Sequence, residues 1–247
     1  MNLIYGILGG IAALFVIVML NRVRISLFVI TMIHGRFSYE YMQFHKKRNY
    51  KSPHKPCITD DIYYHIIVFF KKKFKEHVER YNTDTQIEFD KFKFGENYKI
   101  IFKQKGIPDC FNILDMDGNE ISILGYFNED AMGVRVKSLF FFFDGEFIMG
   151  EYVFSDIKKI DTSLIIKSIR DKYLSNDCQW SDMLMIEEKN GQRMLNIENN
   201  GFTMSLRYYS KQNQKIQDKL KAYFYKMQLV FVDFNTESEE RTLPVEL

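Results

Sequence analysis

The residue types in this chain that could carry catalysis or hold a metal are few: five histidines, three cysteines and one aspartate-rich turn. The histidines are His34, His45, His54, His65 and His77. A helical zinc site needs two imidazoles one turn apart, and a metalloprotease adds a glutamate in H-E-x-x-H. No pair has that spacing, which makes these surface or connector histidines. Cys57, Cys110 and Cys178 are widely separated and odd in number, with no C-x-x-C. A disulfide framework wants pairs and a zinc site wants clustered ligands, so the expectation is free thiols in a reducing compartment. Asp115-Met116-Asp117-Gly118-Asn119 invites a calcium reading. An EF-hand loop needs glycine sixth and glutamate twelfth, whereas here glycine is fourth and Tyr126 is twelfth. A tight turn accounts for the same five residues.

The chain has no phosphate-binding loop, no dinucleotide fingerprint and no nucleophile elbow. No catalytic residue, cofactor site or metal site is assigned, and the balance leans away from an enzyme. Triads are assembled in space, so serine, cysteine and carboxylate nucleophiles stay open as an alternative.

Charge is distributed unevenly. Between Asn21 and Pro56 stand Arg22, Arg24, Arg36, Lys46, Lys47, Arg48, Lys51 and Lys55 against Glu40 alone, a balance of 8 − 1 = +7. The whole chain is +2 and the first 20 residues contribute nothing, so residues 57–247 carry 2 − 7 = −5. A nucleic-acid partner is not expected, because such domains are clearly basic. Lys71–Lys73 and Lys75 read as the wet face of a helix.

Leu3 to Leu20 is an 18-residue run without a charge, close to the length of an uncleaved membrane helix. With the basic flank behind it, the expectation is a single-pass anchor, N-terminus outside and the large domain cytoplasmic. Gly6 and Gly10, with Ala13, give a small-residue stripe for helix packing and self-association. Arg22, Arg24, Lys46, Lys47, Arg48, Lys51 and Lys55 would face anionic lipid headgroups or act only as a topology signal. Ile25–Ile33 is too short to span and reads as interfacial.

The elements that would position all this follow from periodicity. Apolar residues at i+4 predict a helix from Thr59 to Tyr81. Strands are predicted at Tyr98–Lys103, Phe111–Asp115, Glu120–Phe127, Val134–Phe143, Phe147–Phe154, Trp180–Glu187, Arg193–Ile197 and Thr203–Tyr209. Asp117-Gly118, Asp144-Gly145, Asn190-Gly191 and Asn200-Gly201 mark the hairpins. Asp161 predicts one further helix cap and Ser210 another. The fold class is α+β: an N-terminal transmembrane helix, then an antiparallel sheet with helices on one face. The boundaries are 1–24 anchor, 25–57 interfacial segment and basic connector, 58–234 α+β domain and 235–247 acidic tail. One sheet face is predicted to lie exposed and aromatic-rich. The functional expectation is a membrane-anchored module that binds an unknown protein partner. The alternatives are a tethered enzyme or small-ligand sensor, or a protein self-associating through its anchor.

Overall fold

The computed structural model describes residues 2–48, 54–57, 79–116, 118–174 and 180–222, with the backbone alone for 2–15, 17, 114–116 and 128. Helices α1 (Asn2–His34) and α2 (Tyr39–Lys47) come first, then β1 (Glu79–Thr83) and α3 (Tyr98–Lys105). A run of β2 (Cys110–Met116), β3 (Asn119–Ala131), β4 (Val134–Phe143) and β5 (Glu146–Ser155) follows. Helix α4 (Thr162–Tyr173) leads into β6 (Met183–Glu188), β7 (Arg193–Asn199) and β8 (Thr203–Ser210). Residues 214–222 are helical.

All eight strands form one sheet in the order β1-β6-β7-β8-β5-β4-β3-β2. Every pair is antiparallel except β1 with β6, which is parallel. Tight turns set the registers. Asp144 and Gly145 both take positive φ, 48° and 79°, and join Phe143 directly to Glu146. Met132-Gly133 does the same between β3 and β4 at 57° and 74°. A methionine in that conformation is uncommon, so the turn has no dipeptide signature.

Both faces of the sheet are buried, which corrects the expected one-sided layering. On the first face Ile101 of α3, Ile165 and Ile169 of α4, and Ile87, Phe89 and Phe92 from the loop after β1 cover Phe140, Phe142, Leu195 and Leu206. On the second, Ile216 and Leu220 of the 214–222 helix and Cys57 cover Ile121, Ile123, Phe141, Phe143 and Tyr209. Strands β5 and β8, predicted to offer aromatics to solvent, instead bury Phe147, Tyr152, Phe154, Tyr208 and Tyr209. An amphipathic helix shows that it must pack, but not on which face of a sheet.

Other expectations also change. Tyr98–Lys103 is helix, not strand: Asn97 caps it by accepting the Lys99 N–H at 3.0 Å, and Gly106 closes it at φ 83°. The predicted helix from Thr59 lies outside the described residues as far as 78, and Glu79–Thr83 is strand β1. The last helix is capped by Asn213, whose Oδ1 accepts the Ile216 N–H at 3.3 Å, because Ser210 already belongs to β8. Asp161 does cap α4, accepting the Ser163 N–H at 3.0 Å.

The anchor is corrected as well. Among the described residues no helix is long and apolar enough to cross a membrane. Helix α1 runs unbroken through Arg22 and Arg24 to His34. Leu20, Phe28, Met32 and Ile33 are exposed along it. Most of the Leu3–Leu20 run, with the Gly6, Gly10 and Ala13 stripe, has its side chains outside the described residues. With no such helix among the described residues, the expected single-pass topology, its outside and cytoplasmic sides, and the three functions that rest on an anchor lose their support.

Candidate functional site

Three segments distant in sequence meet at one corner of the domain. The first is the turn between α1 and α2. Gly35 takes φ 87° and donates its N–H to the Thr31 carbonyl at 3.0 Å, ending α1 in the left-handed conformation that glycine tolerates. Ser38 then starts α2: its hydroxyl accepts the Tyr41 N–H at 3.2 Å and donates to the Gly35 carbonyl at 3.0 Å. Two cap motifs three residues apart fix where His34, Arg36 and Phe37 stand.

The second segment is α3. Ile101 is fully buried in the core. Lys105 bridges Asp90 and Glu129, the latter at 2.7 Å, and the Tyr126 hydroxyl donates to the Gly106 carbonyl at 3.1 Å. So anchored, α3 presents Tyr98, Lys99 and Phe102.

The third is the short stretch 54–57 along the outer edge of β2. The Lys55 carbonyl accepts the Phe111 N–H at 2.9 Å. Cys57 donates its N–H to Asn112 Oδ1, and its carbonyl accepts from Lys137 Nζ at 2.7 Å. Cys57 and Cys110 are joined in a disulfide spanning 53 residues, which corrects the expectation of free thiols for these two. The pairing had no spacing signature because the strand edge, not the sequence, brings the sulfurs together. Gly125, opposite Cys110 on β3, leaves room for the bridge: a Cβ there would strike Cys110 Sγ.

Between these segments lies a cleft of about 550 Å³ lined by His34, Gly35, Arg36, Phe37, His54, Tyr98, Lys99, Phe102 and Ile107. Its size falls in the range of small-molecule sites. The Phe37 and His54 rings stack at 4.3 Å with 21° between planes, and Phe102 leans on Phe37 at 5.1 Å. His54 Nε2 lies 2.8 Å from the Arg36 carbonyl, so that nitrogen carries the proton and donates. Burial pushes the His54 imidazole below its ordinary pKa, which keeps it neutral and makes it a flat wall, not a charge.

Two carboxylates stand behind this lining. Glu40 lies 3.5 Å from His34. Glu120 is pushed up to about 7 by burial, with the negative charges of Glu40 and Asp144 adding to it. Burial, then Glu120 and Glu40, raise the Tyr98 hydroxyl, which therefore stays a proton donor at neutral pH. Among the described residues no three His, Cys, Asp or Glu side chains are grouped to hold a metal.

Among the described residues, the basic residues singled out in the sequence stand on three segments of the chain. Arg22 and Arg24 are exposed in the middle of α1. Lys46 and Lys47 occupy the last turn of α2, where the macrodipole favours cations, and Arg48 caps it with its guanidinium 3.8 Å over the Phe44 ring. Lys55 sits beside β2 with its ammonium 5.3 Å from the Phe127 ring centre, and Lys51 lies outside the described residues. Of the histidines, His34 and His54 meet at the cleft, His45 packs against Tyr41 on α2, and His65 and His77 lie outside the described residues.

Sequence reasoning missed Phe37, Tyr98, Lys99 and Phe102. The signal was present in the caps: Asn97 with Gly106 brackets an eight-residue helix, and Gly35 with Ser38 brackets a corner. No protein-family model matches the chain, and neither a curated protein nor a solved structure resembles it.

Proposed function

We propose that this is a small-molecule-binding domain whose site is the cleft between the α1–α2 corner, α3 and the 54–57 stretch. The observation that carries the reading is the convergence of three independently anchored segments on a cavity of about 550 Å³, at one corner of a sheet that is buried on both faces. A ligand site wants an apolar wall, a few polar groups and rigid supports. Here the wall is Phe37, Phe102 and the neutral His54 ring, and the polar groups are Arg36, Tyr98 and Lys99. The supports are two helix caps, the Lys105 bridge and a disulfide.

The covered sheet faces argue in the same direction. A protein-docking reading would lean on an apolar strand surface open to solvent, and β5 and β8 spend their aromatics on the core instead.

Amide chemical-shift mapping of the full chain against a panel of small aromatic and aliphatic compounds tests the reading. Saturable shifts grouped at residues 34–37, 54–57 and 98–107 are expected for at least one class. Shifts absent throughout the panel, or confined to the exposed row of α1, would remove the cleft as a site.

A further inference from the structure

Resting on the cleft being a ligand site, we infer that its ligand is a flat apolar molecule carrying one negative charge, an aromatic carboxylate being the simplest case. Its ring would lie on the Phe37–Phe102 wall, and its anionic group would face Arg36 and Lys99.

The shape follows from the rings. Phe37 stacks on His54 and Phe102 tilts against Phe37, an aromatic cluster at the cleft to which a further ring can add by offset or edge-to-face contact. The charge follows from the lining. Arg36 and Lys99 are cationic, and no carboxylate stands among the lining residues. The nearest acids are partly offset: Glu40 is engaged with His34, and Glu120 is held up toward neutrality by burial. A cationic ligand would meet like charge. A neutral ligand would leave the guanidinium and the ammonium without a counter-charge. An anion supplies that counter-charge, and a planar carboxylate matches the guanidinium fork. Tyr98, kept protonated, adds a hydroxyl donor to the lining.

Two near-identical probes separate the parts of this claim. 2-Naphthoate and its neutral amide, 2-naphthamide, are titrated calorimetrically into the full chain at pH 7. The acid is expected to bind about tenfold more tightly than the amide. That advantage should shrink as salt is raised from about 50 to about 500 mM. In the double variant Arg36→Gln with Lys99→Gln the ratio should fall to near one. A circular-dichroism spectrum and thermal unfolding like those of the natural chain show that the variant is folded; both side chains are exposed, so the core is untouched. Equal affinity of the two probes for the natural chain, or an acid preference that survives the double substitution, overturns the charge assignment and leaves the cleft as a site of another class. If neither probe binds while another compound of the panel shifts residues 34–37, 54–57 and 98–107, this inference fails and the cleft reading stands; no shift from any compound of the panel removes both.

Discussion

Two strand glycines, one on each face of the sheet, are roofed in different ways. Gly150 of β5 lies under the Phe89 ring, and a Cβ there would strike the ring carbons. Gly125 of β3 lies under the Cys57–Cys110 disulfide, and a Cβ there would strike sulfur. In both places an absent side chain lets a segment distant in sequence settle on the sheet. The difference is in what holds the roof. The Phe89 ring is gripped by packing: it is fully buried, with Tyr152 at 4.5 Å, Phe140 at 4.9 Å and Tyr208 at 5.4 Å between ring centres, and the Ile87 N–H donating to Glu188 at 2.7 Å and the Lys105–Asp90 bridge hold the backbone on either side. The 54–57 stretch has little apolar mass of its own, so hydrogen bonds and a covalent bridge take over. The packed roof serves the fold, whereas the bridged roof serves the cleft, because His54 stands three residues before Cys57.

The largest effect should come from the packed side. Phe89→Ala is expected to cost about 3–5 kcal/mol, the usual range for emptying a well-packed aromatic site. Gly150→Val should be comparable through overpacking. Urea unfolding measures both. A cost under about 1 kcal/mol for Phe89→Ala would show that the loop after β1 does not organise the first face.

Opening the bridged side should cost less stability but more binding. The double variant Cys57→Ala with Cys110→Ala is expected to lose about 2–4 kcal/mol, the range for a disulfide closing a loop of this length. The same variant should weaken probe binding about tenfold, because the His54 wall loses its tether. Phe89→Ala, measured where it is still folded, should leave probe affinity within about twofold. If the two substitutions affect binding equally, the division between fold and cleft is wrong.

A smaller effect is set by pH. The folded-state pKa of Glu120 is raised from 4.5 to about 7. The folded protein therefore holds this proton more tightly than the unfolded chain. The stabilisation linked to it is complete below the unfolded value and is lost as pH rises through the folded one. Stability should decline between about pH 4.5 and 7, and Glu120→Gln should flatten that part of the curve. An unchanged pH profile in the variant would remove Glu120 from the account. Smallest of all, Ser38→Ala should cost about 1 kcal/mol through loss of the α2 cap.

How much of this was legible beforehand depends on whether a local pattern existed. Seven strands were readable because alternation and tight-turn dipeptides are local: Val134–Phe143 was placed to the residue, and Asp144-Gly145 fixed its turn. Tyr98–Lys103 was misread as strand because Tyr, Ile and Phe favour strands, and the cap residues at either end outweighed them. The disulfide was not readable, since a separation of 53 residues has no periodicity to betray it. The two-sided burial was hidden for the same reason: Ile216 and Leu220 mark a helix that packs, and only the chain path from β8 decides which face it reaches. The cleft was the least legible feature. Its walls come from residues 34–37, 54, 98–102 and 107, and none of those stretches carries a motif.

The most direct test of the cleft is where a bound probe lies. Nuclear Overhauser contacts between saturating 2-naphthoate and the full chain should connect the naphthalene protons to Phe37, His54, Tyr98 and Phe102. Contacts running instead to Phe28, Met32 and Ile33 on the exposed row of α1, with none to Phe37 or Phe102, would contradict the account.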